Sequence, residues 1–152
     1  MDIEVKVKLI RKIDGHADFM PTYATQGSVG MDLKACIEEP ITIAPKQIVK
    51  IPTGLAIQIP NKYIGGFVFP RSGLSSKNGI SLINCVGVID SDYIGEIICP
   101  LVNHSENEFI VNPGDRIAQL AFMPVCNASL VQVDELEKTE RGNGGFGSTG
   151  VK

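Results

Sequence analysis

Ile and Val account for 32 of the 152 residues, Gly and Pro for another 25, and the two sets interleave along almost the whole chain. β-Branched side chains suit a pleated, half-buried surface, whereas Gly and Pro punctuate, so short apolar runs cut this often read as many short strands joined by turns. Ile3, Val5, Val7 and Leu9 alternate with Glu4, Lys6 and Lys8, a period of two that turns one face of an opening strand toward a core. Leu55, Ile57 and Ile59 repeat the pattern, and further apolar runs lie at 64–69, 80–83, 94–102, 109–111, 117–123 and 130–133. The expected class is all-β, a sandwich or jelly-roll-like β-barrel.

Two stretches compete as helices. In Ser72–Gly79, Ser72 can cap a helix of a turn or two and Gly79 can end it in a left-handed conformation. The run Val125–Arg141 lacks Gly and Pro, but the alternation of Val131 and Val133 favours a strand ahead of acidic Asp134–Glu137. Residues 141–150 hold five glycines and a single aromatic ring and cannot build a core. The expected organisation is one β domain over residues 1–138 and a flexible Gly-rich C-terminal arm over residues 139–152.

With 43% hydrophobic and 20% charged residues, the composition is that of a globular domain that needs no disulfide or metal to fold. A pI near 5.4 and scattered basic residues argue against nucleic acid as the main partner. No apolar run reaches the length of a membrane span, and no charged-then-apolar leader can be drawn, so the expected location is cytoplasmic with no membrane partner. Cys36, Cys85, Cys99 and Cys126 lack zinc-site spacing, and His16 and His104 stand far apart. The four thiols are expected to be reduced core residues.

Five segments carry chemistry that a core does not need. Val88–Gly95 looks like a hairpin with a polar tip; Asp and Ser stabilise turns by themselves, but a carboxylate held on a rigid turn can also deprotonate water, with Asp90 the candidate base and Asp92 in reserve. Tyr93 beside it can press on a sugar face. In Pro70–Gly73 an arginine fork, a hydroxyl and free amides meet where a helix starts, which is either a capped helix beside a surface arginine or an anion site. Gly114–Leu120 reads as a turn entering a strand and leaves Gln119 unexplained by packing. Arg141–Gly150 lacks the ending of a P-loop; it is a plain tail or a nucleotide lid in which Phe146 stacks on a base. Gly27–Ala35 places Asp32 after a glycine pair, where it can turn into a strand or hold metal-bound water.

Taken in order, Gly30–Ala35 (GMDLKA), Pro70–Leu74 (PRSGL), Asn84–Glu96 (NCVGVIDSDYIGE), Gly114–Leu120 (GDRIAQL) and Arg141–Gly150 (RGNGGFGSTG) resemble the five motifs of the homotrimeric dUTPases. The resemblance runs from about Pro21 to the C-terminus. It implies a jelly-roll homotrimer whose sites are shared between subunits, each arm closing over a neighbour's site. It also implies hydrolysis of dUTP to dUMP and diphosphate, which keeps uracil out of DNA and supplies dUMP for thymidylate synthesis.

By the same resemblance, Asp90 activates the water that attacks the α-phosphorus in line. Mg²⁺ is held mainly by the substrate phosphates, with Asp32 reaching it through water. Arg71, Ser72, Gly73 and Gln119 bind phosphates, and Arg141, Gly147 and Ser148 bind from the arm. Asn84, Gly87, Val88, Ile89 and Ile98 form a uracil pocket, Tyr93 excludes the ribose hydroxyl and Phe146 stacks on the base. Ile94, Cys85-Val86 and Val29 depart from the family's usual residues without removing a reacting group. Three rival readings stay open beside it: a dCTP deaminase, which shares the fold but whose Arg-Ser-Ser-type signature is absent, a nucleotide-gated module whose main role is to contact another protein, and a jelly-roll structural protein.

Overall fold

The computed structural model describes residues 2–11 and 19–145. Ten strands and one helix follow in the order β1 (Lys6–Leu9), β2 (Met31–Lys34), β3 (Ile41–Ile43), β4 (Ile48–Gln58), β5 (Ile64–Pro70), α1 (Ser72–Asn78), β6 (Ile80–Leu82), β7 (Gly87–Ile89), β8 (Glu96–Asn103), β9 (Phe109–Val111) and β10 (Arg116–Pro124). They form two four-stranded sheets, β1-β4-β8-β6 and β2-β10-β5-β7, and a two-stranded sheet, β3-β9. Every pairing is antiparallel. One core draws on all three sheets, with Leu55 and Leu101 from the first, Leu33 and Leu120 from the second and Ile43 and Val111 from the third. The all-β class and jelly-roll-like layering therefore hold, but the barrel does not close: among the described residues the large sheets end in edge strands, β1 and β6 in one and β2 and β7 in the other. Among the described residues no helix is long and apolar enough to cross a membrane.

Helix α1 is the short element expected after Arg71, although its first turn differs. Arg71 itself holds the cap position with extended φ −86° and ψ 124°, no side chain caps the helix, and Ser72 is the first helical residue. The helix therefore starts one position earlier than a serine cap would place it. Gly79 ends it as anticipated, with φ 69° and its amide bonded back to the carbonyls of Leu74 and Ser75.

Four other expectations are corrected. Val88–Gly95 is not a hairpin, because β7 pairs with β5 and β8 pairs with β4 and β6. The turn at Asp90–Asp92 carries the chain from one large sheet to the other. The strand expected at Leu130–Val133 does not form, and Leu130, Val131, Val133 and Leu136 are all exposed. Its alternation is real, but the segment pairs with no strand among the described residues. Of the thiols, Cys36 and Cys99 are buried whereas Cys85 and Cys126 are exposed; Cys99 lies within β8, and Cys36 packs in the core although it sits in the connection after β2. At the N-terminus Ile3, Val5 and Val7 pack on the core as their alternation implies, but Leu9 is exposed.

Candidate active site

Sheet register gathers the first group of site residues. Strand β10 lies between β2 and β5 and aligns Gln119 with Asp32 on one side and with Phe69 on the other. The end of β5 then delivers Arg71 beside Asp32. Arg71 Nε donates to Asp32 Oδ1 at 2.9 Å, Arg116 Nη1 donates to Asp32 Oδ2 at 3.1 Å, and Arg71 Nη1 donates to the Arg116 carbonyl at 3.2 Å. A guanidinium carries five donors, so these bonds fix the plane of Arg71 and leave its Nη2 group available to a ligand. Gln119 Nε2 donates to the Pro70 carbonyl at 3.1 Å. Gly30 makes room for it, since a Cβ at that position would come 3.0 Å from Gln119 Oε1.

These side chains line a pocket of about 620 Å³ together with Ser72, Gly73 and Lys77. Arg71, Arg116 and Lys77 face a single carboxylate, Asp32, among its lining residues, so the pocket is cationic in a chain whose net charge is -3. Such a concavity concentrates a polyanion. The first amides of α1 add to it, because the opening N–H groups of a helix have no acceptor within the helix and no side-chain cap takes one here. Arg116 and Lys77 had no assigned role in the sequence. The signal for Arg116 was its place in Gly114–Leu120, at the end of β10 that shares register with β2.

The second group forms a separate pocket of about 290 Å³. Asn84, Gly87, Val88, Ile89, Asp90, Tyr93 and Ile98 all line it. Val68, Leu82, Glu96, Ile97 and Pro100 complete the walls and had no assigned role before. Strand β7 is the edge of its sheet, paired with β5 alone. Its other edge therefore presents unpaired backbone donors and acceptors, the arrangement by which an edge strand recognises a flat polar partner. Gly87 lets this strand approach β5, as a Cβ there would stand 3.2 Å from Val68 Cβ. Asp90 is exposed at the end of β7 and its carbonyl accepts the Tyr93 amide at 3.1 Å. Among the described residues no bond engages its carboxylate. Asp92 does not line the pocket.

No residue lines both pockets. Arg141 lines neither; its Nε bonds to the Gly144 carbonyl at 2.9 Å within a local turn. Phe146, Gly147 and Ser148 lie outside the described residues.

The comparisons with known proteins agree with one another. The dUTPase family model matches residues 18–150. A deoxyuridine 5'-triphosphate nucleotidohydrolase of Desulfitobacterium hafniense is 53% identical over 149 residues, covering 98% of this chain and 97% of that protein. Its counterpart in Legionella pneumophila is 50% identical over 146 residues, covering 96% of each. Among solved structures, a Staphylococcus bacteriophage 80alpha dUTPase with dUPNHPP superposes with a TM-score of 0.84 at 28% identity, covering 97% of this chain and 99% of that one.

Proposed function

Because the chain belongs to the dUTPase family, we propose that it is a dUTP diphosphatase, hydrolysing dUTP to dUMP and diphosphate, and so keeping uracil out of DNA while supplying dUMP for thymidylate synthesis. The observation that carries the reading furthest is the division of labour between two pockets, one with the size and edge-strand polarity of a pyrimidine site and one lined by Arg71, Arg116 and Lys77 for phosphates.

In the base pocket, the free edge of β7 at Gly87, Val88 and Ile89, with Asn84, recognises uracil through its backbone donors and acceptors. Cytosine is refused by mispaired polar groups and thymine by its methyl. Tyr93 closes the sugar side against a ribose hydroxyl. In the basic pocket Arg71, Ser72, Gly73 and Gln119 hold the phosphate chain. Asp90, with its carboxylate unengaged, accepts the proton of a water whose oxygen bonds to the α-phosphorus in line as the bond to the bridging oxygen breaks and diphosphate leaves.

The residues fit a magnesium ion held by phosphates rather than by a protein cage. Among the described residues no group of three His, Cys, Asp or Glu side chains converges. Each Asp32 oxygen has accepted one guanidinium hydrogen and keeps a lone pair for a metal-bound water. When bound there, Mg²⁺ supplies charge neutralisation and a fixed conformation of the phosphate chain.

The two pockets do not share a residue, and Leu130, Val131, Val133 and Leu136 are exposed on the single chain. A homotrimer brings pockets of different subunits together and offers that apolar segment a neighbour to pack on. The β7 pocket of one subunit meets the Asp32–Arg71 pocket of a second, and the arm over residues 139–152, with Arg141, Phe146, Gly147 and Ser148, closes the site from a third. Four free cysteines and no membrane-spanning helix among the described residues accord with a cytoplasmic enzyme.

The test is diphosphate release with Mg²⁺ from dUTP beside dCTP, dTTP and UTP, with ammonia assayed in the same tubes. Release from dUTP alone is expected. Ammonia from dCTP would replace the reading with a deaminase.

A further inference from the structure

Gly95 has no conformational reason to be glycine, because its φ lies outside the left-handed region that Gly54, Gly79, Gly114 and Gly142 occupy. Its reason is space. A Cβ built at position 95 would stand 2.6 Å from Tyr93 Oη, 2.7 Å from Cζ and 3.0 Å from Cε2. The phenol folds back over its own turn into that space, and its hydroxyl donates to the Glu96 carbonyl at 2.9 Å. The acceptor is itself fixed. Glu96 opens β8 opposite Ala56, its Oε1 accepts the Gly54 amide at 2.9 Å, and its Oε2 pairs with Arg11 at 3.3 Å.

We infer that Gly95 is a positioning residue for sugar selectivity. The missing side chain lets Tyr93 hold its folded-back pose at the wall of the base pocket, and that pose sets how much room a 2′ substituent has. The inference rests on the reading of Tyr93 given under Proposed function. All three atoms that a Cβ would strike belong to the far end of a rotatable side chain. Alanine at 95 is therefore accommodated by a swing of the ring rather than by movement of the strand. Once swung, Tyr93 loses the Glu96 carbonyl and the sugar side opens.

The experiment is steady-state kinetics with dUTP and UTP on the full chain and on Gly95→Ala, Tyr93→Ala and the double variant. Gly95→Ala is expected to raise the UTP-to-dUTP ratio of kcat/KM by about tenfold, a change of about 1.4 kcal/mol, with more of the loss for dUTP in KM than in kcat. Tyr93→Ala raises the same ratio. Adding Gly95→Ala to it then has no further effect, because the new Cβ meets no ring. An unchanged ratio in folded Gly95→Ala, beside a relaxed ratio in Tyr93→Ala, overturns the inference and leaves the Tyr93 reading standing. An unchanged ratio in Tyr93→Ala defeats that reading and the inference with it, and additive effects of the two substitutions overturn the inference alone. If Gly95→Ala fails to fold, folding regained in the double variant supports a clash with the ring, and folding lost in both assigns the glycine to the backbone and overturns it. Absence of dUTP turnover in the unsubstituted chain is a separate result that removes the proposed function.

Discussion

Asp90 follows an edge strand and no bond among the described residues engages its carboxylate, whereas Asp32 is held at both oxygens by arginines, so the two carboxylates are suited to different work. Replacing Asp90 by Asn keeps the shape of the turn and removes the proposed proton acceptor. Turnover is expected to fall by about 10²- to 10⁴-fold while calorimetry still detects dUTP binding; unchanged turnover would show that another group takes the proton. A second residue-scale expectation concerns the thiols. Burial pushes the Cys99 thiol from its usual 9.0 up to about 12, and burial also raises Cys36, partly offset by nearby Arg11. A raised pKa favours the neutral thiol in the folded state, so its contribution to stability is complete below about pH 9 and declines as pH rises toward 12, at about 1.4 kcal/mol per unit for one group. Denaturant unfolding between pH 9 and 11 should fall less steeply in Cys99→Ala than in the unsubstituted chain. In native protein at pH 8, thiol titration should reach Cys85 and Cys126 quickly and Cys36 and Cys99 only on unfolding. Which thiols are buried was not legible in the sequence, because all four sit next to apolar residues and only the pairing of β4 and β8 separates Cys99 from the rest.

Asn103 is the polar side chain on which the elements depend most. It is fully buried at the end of β8, its Nδ2 donates to the carbonyls of Ile43 and Asn107, and its Oδ1 accepts from the amide and hydroxyl of Ser105. It thereby ties β3 and the turn before β9 to the first large sheet. Asn103→Ala leaves those partners unpaired in a dry site, and a loss of about 2–4 kcal/mol in unfolding free energy is expected. Most strands were legible because short apolar runs are bounded by turn residues, as at 64–69 and 117–123, which became β5 and β10. The failures share one cause. Alternation reports that one face of a segment is apolar and says nothing of which edge will receive it. Leu130–Val133 therefore looked like a strand without having a partner, and Val88–Gly95 looked like a hairpin although its two strands belong to different sheets.

At the scale of the whole molecule, the order of strands in the second sheet explains why the site residues fall into two sets. The sequence of strands β2-β10-β5-β7 puts Asp32, Gln119 and Arg71 on one side of β5 and the β7 pocket on the other. The five motifs could be read from the sequence, including which residues belong to each, but the division of the first four between two pockets depends on register, which no spacing along the chain encodes. If a complete site forms only between copies, two inactive chains can repair each other. The most direct measurement is to refold Asp90→Asn together with Arg71→Ala in equal amounts and assay diphosphate release from dUTP. Each variant alone should be nearly inactive, and the mixture should recover about a quarter of the unsubstituted activity, the fraction of interfaces that join an intact β7 pocket to an intact Asp32–Arg71 pocket in a randomly assembled ring. A mixture no more active than its components would mean that both pockets serve one substrate within a single chain, and the shared-site account would be wrong.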